Sequence, residues 1–150
     1  MTIFEQLIAK KRPASFVHED GACIAFMDIN PITRGHVLVV PRQAAVTLAE
    51  LDASTRRHLW DVAHRIGLAQ QKALGSHAQH FLVNDGKAAS QTVPHAHIHV
   101  IPRRQGDTLR AVTRLIWHVT TLLLPRPETA ARRKQLDAQA DAIRGALERP

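Results

Sequence analysis

The sequence predicts an α+β domain with a largely antiparallel sheet, one long covering helix and a helical C-terminal tail. Three observations lead there. Short apolar runs bounded by turn residues recur along the first two thirds of the chain. One stretch, Ala53–Leu74, has its apolar residues at helical spacing instead. After Gly106 the strand-like runs stop and two further helical stretches follow.

The elements follow in order. Thr2–Lys10 has helical spacing, with Ile3, Leu7 and Ile8 on one side. Ser15–His18 and Ala22–Asp28 read as two strands joined by the turn Glu19-Asp20-Gly21. Asn30-Pro31 breaks the chain, and His36–Val40 is a β-branched strand ended by Pro41. Thr47–Leu51 is a short helical turn. In the long helix, Leu59, Val62, Ala63, Ile66, Ala69, Ala73 and Leu74 share a face, and Gly75 caps the C-terminus. Ala78–Val83 is a strand, Asn84-Asp85-Gly86 a turn and Asp85–Thr92 a loop. Val93–Ile101 is the last strand, closed by Pro102. Thr108–Leu124 is helical, Pro125-Arg126-Pro127 interrupts, and Glu128–Leu147 carries Leu136, Ala140, Ile143 and Leu147 on one face. We divide the chain into a domain over 1–107 and an extension over 108–150, too short for its own core, that must pack on the domain or on a second subunit.

A chain of 150 residues that is 45% hydrophobic can bury a real core, and its 22% charged residues, 7 Gly and 8 Pro do not read as disorder. Tyr is absent and aromatics are few, so the core must rest on Leu, Ile, Val and Ala. The net charge of +7 favours anionic ligands. The basic residues are scattered, with small clusters at Lys10-Lys11-Arg12, Arg103-Arg104 and Arg132-Arg133-Lys134. No aromatic side chains interleave with them, which argues against nucleic acid as partner. A single cysteine, Cys23 between Ala22 and Ile24, reads as a buried small hydrophobe in a reducing cytoplasm. No apolar run is long enough for a signal peptide or a membrane span.

The chemistry concentrates in His95-Ala96-His97-Ile98-His99. On a strand these three imidazoles would share a face, spaced about 6.6–6.8 Å apart, with Ala96, Ile98 and Val100 turned into apolar packing. Two functional readings compete. His-x-His can present two nitrogens to a metal, but three alternate residues of one extended strand cannot all converge on a tetrahedral ion, and no Cys or Glu lies close by. Alternatively, the central imidazole attacks phosphorus while its neighbours bind phosphate oxygens and the leaving group. The strand alone leaves the two level.

The wider sequence adds a resemblance. Gln91-Thr92-Val93-Pro94-His95-Ala96-His97-Ile98-His99-Val100-Ile101-Pro102-Arg103 resembles the signature of the histidine-triad (HIT) superfamily, three histidines alternating with apolar residues. Upstream, Ala25–Pro31 and Gly35–Pro41 resemble that family's nucleoside-binding strand and the strand after it, and Asn84-Asp85-Gly86 sits where the family has an Asn-x-Gly turn. The resemblance covers about residues 3 to 107 and implies a HIT-like fold. It implies that His97 is a nucleophile forming a nucleotidyl-imidazole, its other ring nitrogen held by a carbonyl near His95. His99 would contact the phosphate and the scissile oxygen, with His95 and His36 in support. Gln91 and Thr92 would hold phosphate oxygens, Asn84 the phosphate or 5′ oxygen and Asp28 the ribose hydroxyls. Phe26 and Ile29 would wall the base pocket. Read without the resemblance, Phe26 and Ile29 are plain core, Asp28 caps a turn and His36 is a satisfied structural histidine. His18, His58, His64, His77, His80 and His118 match no motif and read as surface or packing residues.

The departures matter as well. Many bacterial relatives carry a Cys-x-x-Cys pair near the N-terminus that holds zinc; the corresponding segment here is Thr2-Ile3-Phe4-Glu5, so no metal and no cofactor are expected. Ser90 stands where relatives often have Gly. The third triad member is His99, not Gln, which favours hydrolysis over nucleotidyl exchange. The resemblance therefore implies a cytoplasmic homodimeric hydrolase of nucleoside phosphoramidates or dinucleoside polyphosphates, with an adenosine derivative as the expected substrate. The alternative is a nucleotide-binding regulatory module with little turnover.

Overall fold

The computed structural model describes residues 1–120 and 128–149. Helix α1 (Ile3–Ile8) opens with a capping box: the Thr2 hydroxyl accepts from the Glu5 amide at 3.1 Å and the Glu5 carboxylate accepts from the Thr2 amide at 2.7 Å. The helix stops two residues short of the expected Lys10, which adopts a left-handed φ of 57°. Strands β1 (Phe16–Glu19), β2 (Cys23–Met27) and β3 (Val37–Pro41) follow. Helix α2 (Ala53–Leu74) has the expected bounds, because both ends are signalled locally. Asp52 accepts from the Thr55 amide at 2.8 Å, and Gly75 takes the left-handed conformation that ends the helix. Strands β4 (Ala78–Leu82) and β5 (Ile98–Arg103), then helices α3 (Thr108–Thr120) and α4 (Ala130–Leu147), complete the order. The expected Pro125-Arg126-Pro127 interruption and the last residues of the expected 108–124 helix lie outside the described residues.

The five strands form one antiparallel sheet in the order β1-β2-β3-β5-β4. Every residue of β2 and β3 is buried, so both sheet faces are covered. On one face Cys23, Ala25, Met27, Val37 and Val39 pack with Leu59, Ala63 and Ile66 of α2 and Leu136, Ala140 and Ile143 of α4. The α2 face therefore serves the core of this chain, and α4 packs on the same core. On the other face Ile24, Phe26, Leu38 and Val40 pack with Phe4 and Leu7 of α1. Each buried Leu, Ile or Phe of these layers contributes roughly 1.5–3 kcal/mol. No described helix is long and apolar enough to cross a membrane.

One strand corrects its expectation. β5 begins at Ile98, not Val93, so His95 and His97 precede the strand. Its pairing with β3 ends at Val39↔Ile98. Pro94 has no amide to donate. The His95 amide turns back to the Val93 carbonyl at 2.8 Å, and the Ala96 amide donates to Ala45 at 2.8 Å. Where a ladder would continue, the His95 ring donates to the Pro41 carbonyl at 2.9 Å.

Candidate active site

All three triad histidines are buried, and the bend before β5 draws their rings together: His97 and His99 have centroids 4.8 Å apart, closer than an extended strand allows. Phe4 of α1 stands edge-on to His97 at 5.1 Å and to His95 at 6.0 Å. This packing puts the triad on the α1 face of the sheet, beside Leu38, the cross-strand partner of His99.

The hydrogen bonds assign the protons. His97 Nδ1 lies 2.8 Å from the His95 carbonyl. A carbonyl only accepts, so Nδ1 carries the hydrogen and Nε2 carries the lone pair. His36 is fully buried, and its Nδ1 accepts from the Ile32 amide at 3.2 Å. Its Nε2 therefore holds the hydrogen and donates to His99 Nδ1 at 2.9 Å. That bond leaves the hydrogen of neutral His99 on Nε2. Asp28 Oδ2 lies 3.5 Å from His36 Nδ1, so a proton entering the His36–His99 pair meets a carboxylate. Asp28 also accepts from the Asn30 amide at 2.7 Å, which closes the turn before Pro31.

A cavity of about 370 Å³ opens in front of His97 and His99. Phe26, Asp28, Ile29 and Thr92 line it as well. Ile29 is 42% exposed, so it is a wall residue and not core; Phe26 is buried against Phe4 and Phe16 and reaches the cavity from the core. His95 and His36 stand behind the lining residues. Asn84 and Gln91 are not among those residues. The Gln91 amide instead accepts from Gly86 at 2.9 Å and donates to Val46 at 2.7 Å, tying the 84–91 loop to the loop after β3. Asn84 reaches the Ser90 carbonyl at 3.5 Å.

Sequence reasoning missed Arg12, Glu128 and Arg133 at this cavity. The signal was there as the basic clusters at 10–12 and 132–134, but nothing local says that α4 folds back to the triad. Arg133 pairs with Glu128 and donates to Ser15 Oγ at 3.2 Å, and Arg132 donates to the Ile29 carbonyl. The histidines expected on the surface include another departure: His18 and His58 converge on Asp20. Where many bacterial relatives have the zinc-binding cysteine pair, Thr2 and Glu5 spend their side chains on the capping box, so that place supplies no thiolate.

The HIT domain family model matches residues 9–106. An uncharacterized HIT-like protein of Mycobacterium tuberculosis is 40% identical over 107 residues, 71% of this chain and 74% of its own length. The adenylylsulfatase HINT3 of Arabidopsis thaliana is 36% identical over 116 residues, 77% of this chain and 59% of its own. A solved structure of a zinc-bound histidine triad family protein from Mycobacterium smegmatis superposes with a TM-score of 0.76 at 32% identity, covering 97% of this chain and 91% of that one. The chain belongs to the HIT family.

Proposed function

We propose that this HIT-family chain hydrolyses a nucleoside phosphoramidate or dinucleoside polyphosphate at the α-phosphorus, through a nucleotidyl intermediate on His97. The observation that carries the reading is the pair of opposite tautomers side by side. His97 has its Nε2 lone pair committed to attack, because the His95 carbonyl holds Nδ1–H. His99 has Nε2–H, because His36 donates to its Nδ1. A nucleophile and a donor 4.8 Å apart between ring centres suit in-line displacement at one phosphorus.

The step runs as follows. His97 Nε2 bonds to the α-phosphorus, and the bond to the leaving group breaks. The Nε2–H of His99 binds the departing atom. When that atom needs a proton, the His36–His99 pair delivers one taken earlier from solvent, its cationic form stabilised by Asp28. Water then attacks the phosphorus, the pair accepts a water proton, and the nucleoside monophosphate leaves His97. Phe26 and Ile29 offer apolar walls to a base, Asp28 an acceptor to ribose hydroxyls and Thr92 a hydroxyl to phosphate. Arg12 supplies positive charge in the lining for a second phosphate or a charged leaving group, beside the ion pair of Arg133 with Glu128. Gln91 supports the phosphate loop through its backbone bonds.

The test is a covalent trap. Wild type mixed with α-labelled adenylyl phosphoramidate or diadenosine polyphosphate and quenched should carry acid-labile label on His97 and release AMP. His97→Ala should do neither. Absence of both label and AMP in wild type refutes the reading.

We also propose a homodimer joined through α2 and the edge strand β4. Trp60 and Leu68 of α2 and Phe81 of β4 are exposed, and Trp60 stacks edge-on against Phe81 at 6.4 Å. Light scattering on Trp60→Asp, expected to be monomeric against a dimeric wild type, checks this.

A further inference from the structure

The β1–β2 hairpin meets α2 at a group of side chains remote from the triad in the sequence. Asp20, in the hairpin turn, is the hub. Its Oδ1 accepts from the Ala22 and Cys23 amides, both at 2.8 Å, which fixes the carboxylate. Its Oδ2 meets three side chains: His18 Nε2 at 2.7 Å, His58 Nε2 at 2.7 Å and Cys23 Sγ at 3.8 Å. His18 comes from β1, Cys23 from β2 and His58 from α2. The donor atoms of His18, Asp20 and Cys23 all lie within 4.8 Å of one another.

We propose that His18, Asp20, Cys23 and His58 form a binding site for one zinc-class divalent cation that pins the β1–β2 hairpin to α2. The donor set fits. One thiolate, one carboxylate and two imidazoles balance the two charges of the ion and fill a tetrahedron. For His18, Asp20 and Cys23 the spacing is close to what such an ion needs, while His58 lies outside that group of three and must swing toward it to complete the set. Bonds of about 2.0–2.3 Å place neighbouring ligand atoms roughly 3.3–3.6 Å apart. Sγ and Oδ2, at 3.8 Å, need to close slightly, while each imidazole nitrogen must retreat from Oδ2 by roughly 0.6 Å, given its present 2.7 Å. His58 has the freedom to adjust, with 38% of its side chain exposed at the rim. Binding exchanges protons for the ion: the Cys23 thiol loses its hydrogen to solvent, and both imidazoles present the Nε2 lone pair and keep hydrogen on Nδ1.

Without an ion, burial first and the Asp20 charge second push the Cys23 thiol up to about 12. A coordinated ion reverses that penalty, since it deprotonates a bound thiol outright. Arg42 and Arg65 already favour the thiolate. This site shares no residue with the triad, nor with the segment that resembles the cysteine pair of bacterial relatives. The expectation of a metal-free chain came from that segment and from the triad strand; here three ligands lie within positions 18 to 23 and the fourth, His58, is remote in sequence.

The experiment strips the full chain with chelator and titrates it with Co²⁺ and Zn²⁺. Cys23 is the only cysteine, so a near-ultraviolet thiolate-to-cobalt band reports this site alone. We expect that band in wild type at one ion per chain, and a rise in Tm of roughly 5–10 °C at Zn²⁺ a hundredfold above Kd. Cys23→Ser should abolish the band. His58→Ala, at a partly exposed position, should weaken Zn²⁺ binding by at least about tenfold. The proposal is overturned if wild type shows no thiolate band, or if the Zn²⁺-induced rise in Tm persists undiminished in both variants.

Discussion

Replacing His36 separates a histidine that positions the catalytic group from one that only packs. His36 is completely buried; among its hydrogen bonds it accepts from Ile32 and donates to His99. His36→Leu leaves the Ile32 amide and His99 Nδ1 without their partner. An orphaned buried donor costs about 1–3 kcal/mol. At about 2–4 °C per kcal/mol for a chain of this size, Tm should fall by roughly 2–12 °C. If His36 sets the tautomer of His99, the chemical step suffers as well. Acid–base assistance is worth about 10²–10⁴ in rate, and kcat should fall within or just below that range while KM stays nearly constant. His97 should still become adenylylated, only more slowly, because its own tautomer is held by the His95 carbonyl. His36→Gln, whose amide can donate toward His99, should restore part of kcat. Thermal unfolding and single-turnover labelling of the three proteins measure all of this. A fall in Tm with kcat unchanged would show that His36 is a packing residue and refute the tautomer argument.

Other perturbations probe the frame around the site. Gly35 has φ of 93°, and a Cβ there would lie 2.4 Å from Leu74 Cδ1 and 3.1 Å from Pro102 Cγ; Gly35→Ala should cost roughly 2–5 kcal/mol, read as a shift of the urea midpoint. Ile143 of α4 is fully buried against the α2 face, so Ile143→Ala should lose about 2–5 kcal/mol by the same assay. Asp52 is held below the ordinary carboxylate range by the Ser54 hydroxyl and the Thr55 amide, and Asp107 by the Arg103 guanidinium. A carboxyl depressed in the folded state stabilises above its unfolded value of about 3.9 and loses that contribution as pH falls through its lower folded value. Acid titration of Tm should therefore show a shallower fall below pH ~4 in Asp52→Asn than in wild type.

What the sequence revealed correctly is what short stretches decide. Helix α2 matches its expected bounds because Asp52 and Gly75 sit at its ends. Strands β2 and β3 match within a residue because their apolar runs are bounded by Asp20-Gly21 and by Asn30-Pro31 and Pro41. β5 starts later than expected because the alternation from His95 to His99 and the apolar Val93 read as strand while the backbone does not: Pro94 and the turn at His95 end the ladder. His18, Asp20 and Cys23 lie within six positions, but His58 lies 38 residues from Asp20, and nothing local shows that α2 brings it to the hairpin. The contact between Arg133 and Ser15 spans 118 residues, and it follows from the tertiary packing of α4, with Leu136 and Ile143 in the core and Asp137 bonded to Ser15.

That division bears on how such a site diverges. The family model spans 9–106, which includes the triad, His36 and Asp28 but not Glu128, Arg132 or Arg133. In our reading the shared span carries the chemistry, since both tautomers are set by residues within it. Part of the cavity lining, which in the proposed reading meets the group departing from the phosphorus, comes from Arg133 of α4 and from Glu128 just before it. A change in the tail can therefore alter the preferred leaving group while His97 and His99 keep their protons where they are. The tail is also anchored independently of the pocket, through Leu136, Ala140 and Ile143 in the core. Substitutions at Glu128 and Arg133 thus change the cavity wall and remove the Arg133 bond to Ser15, but leave the apolar anchor of α4 in the core intact.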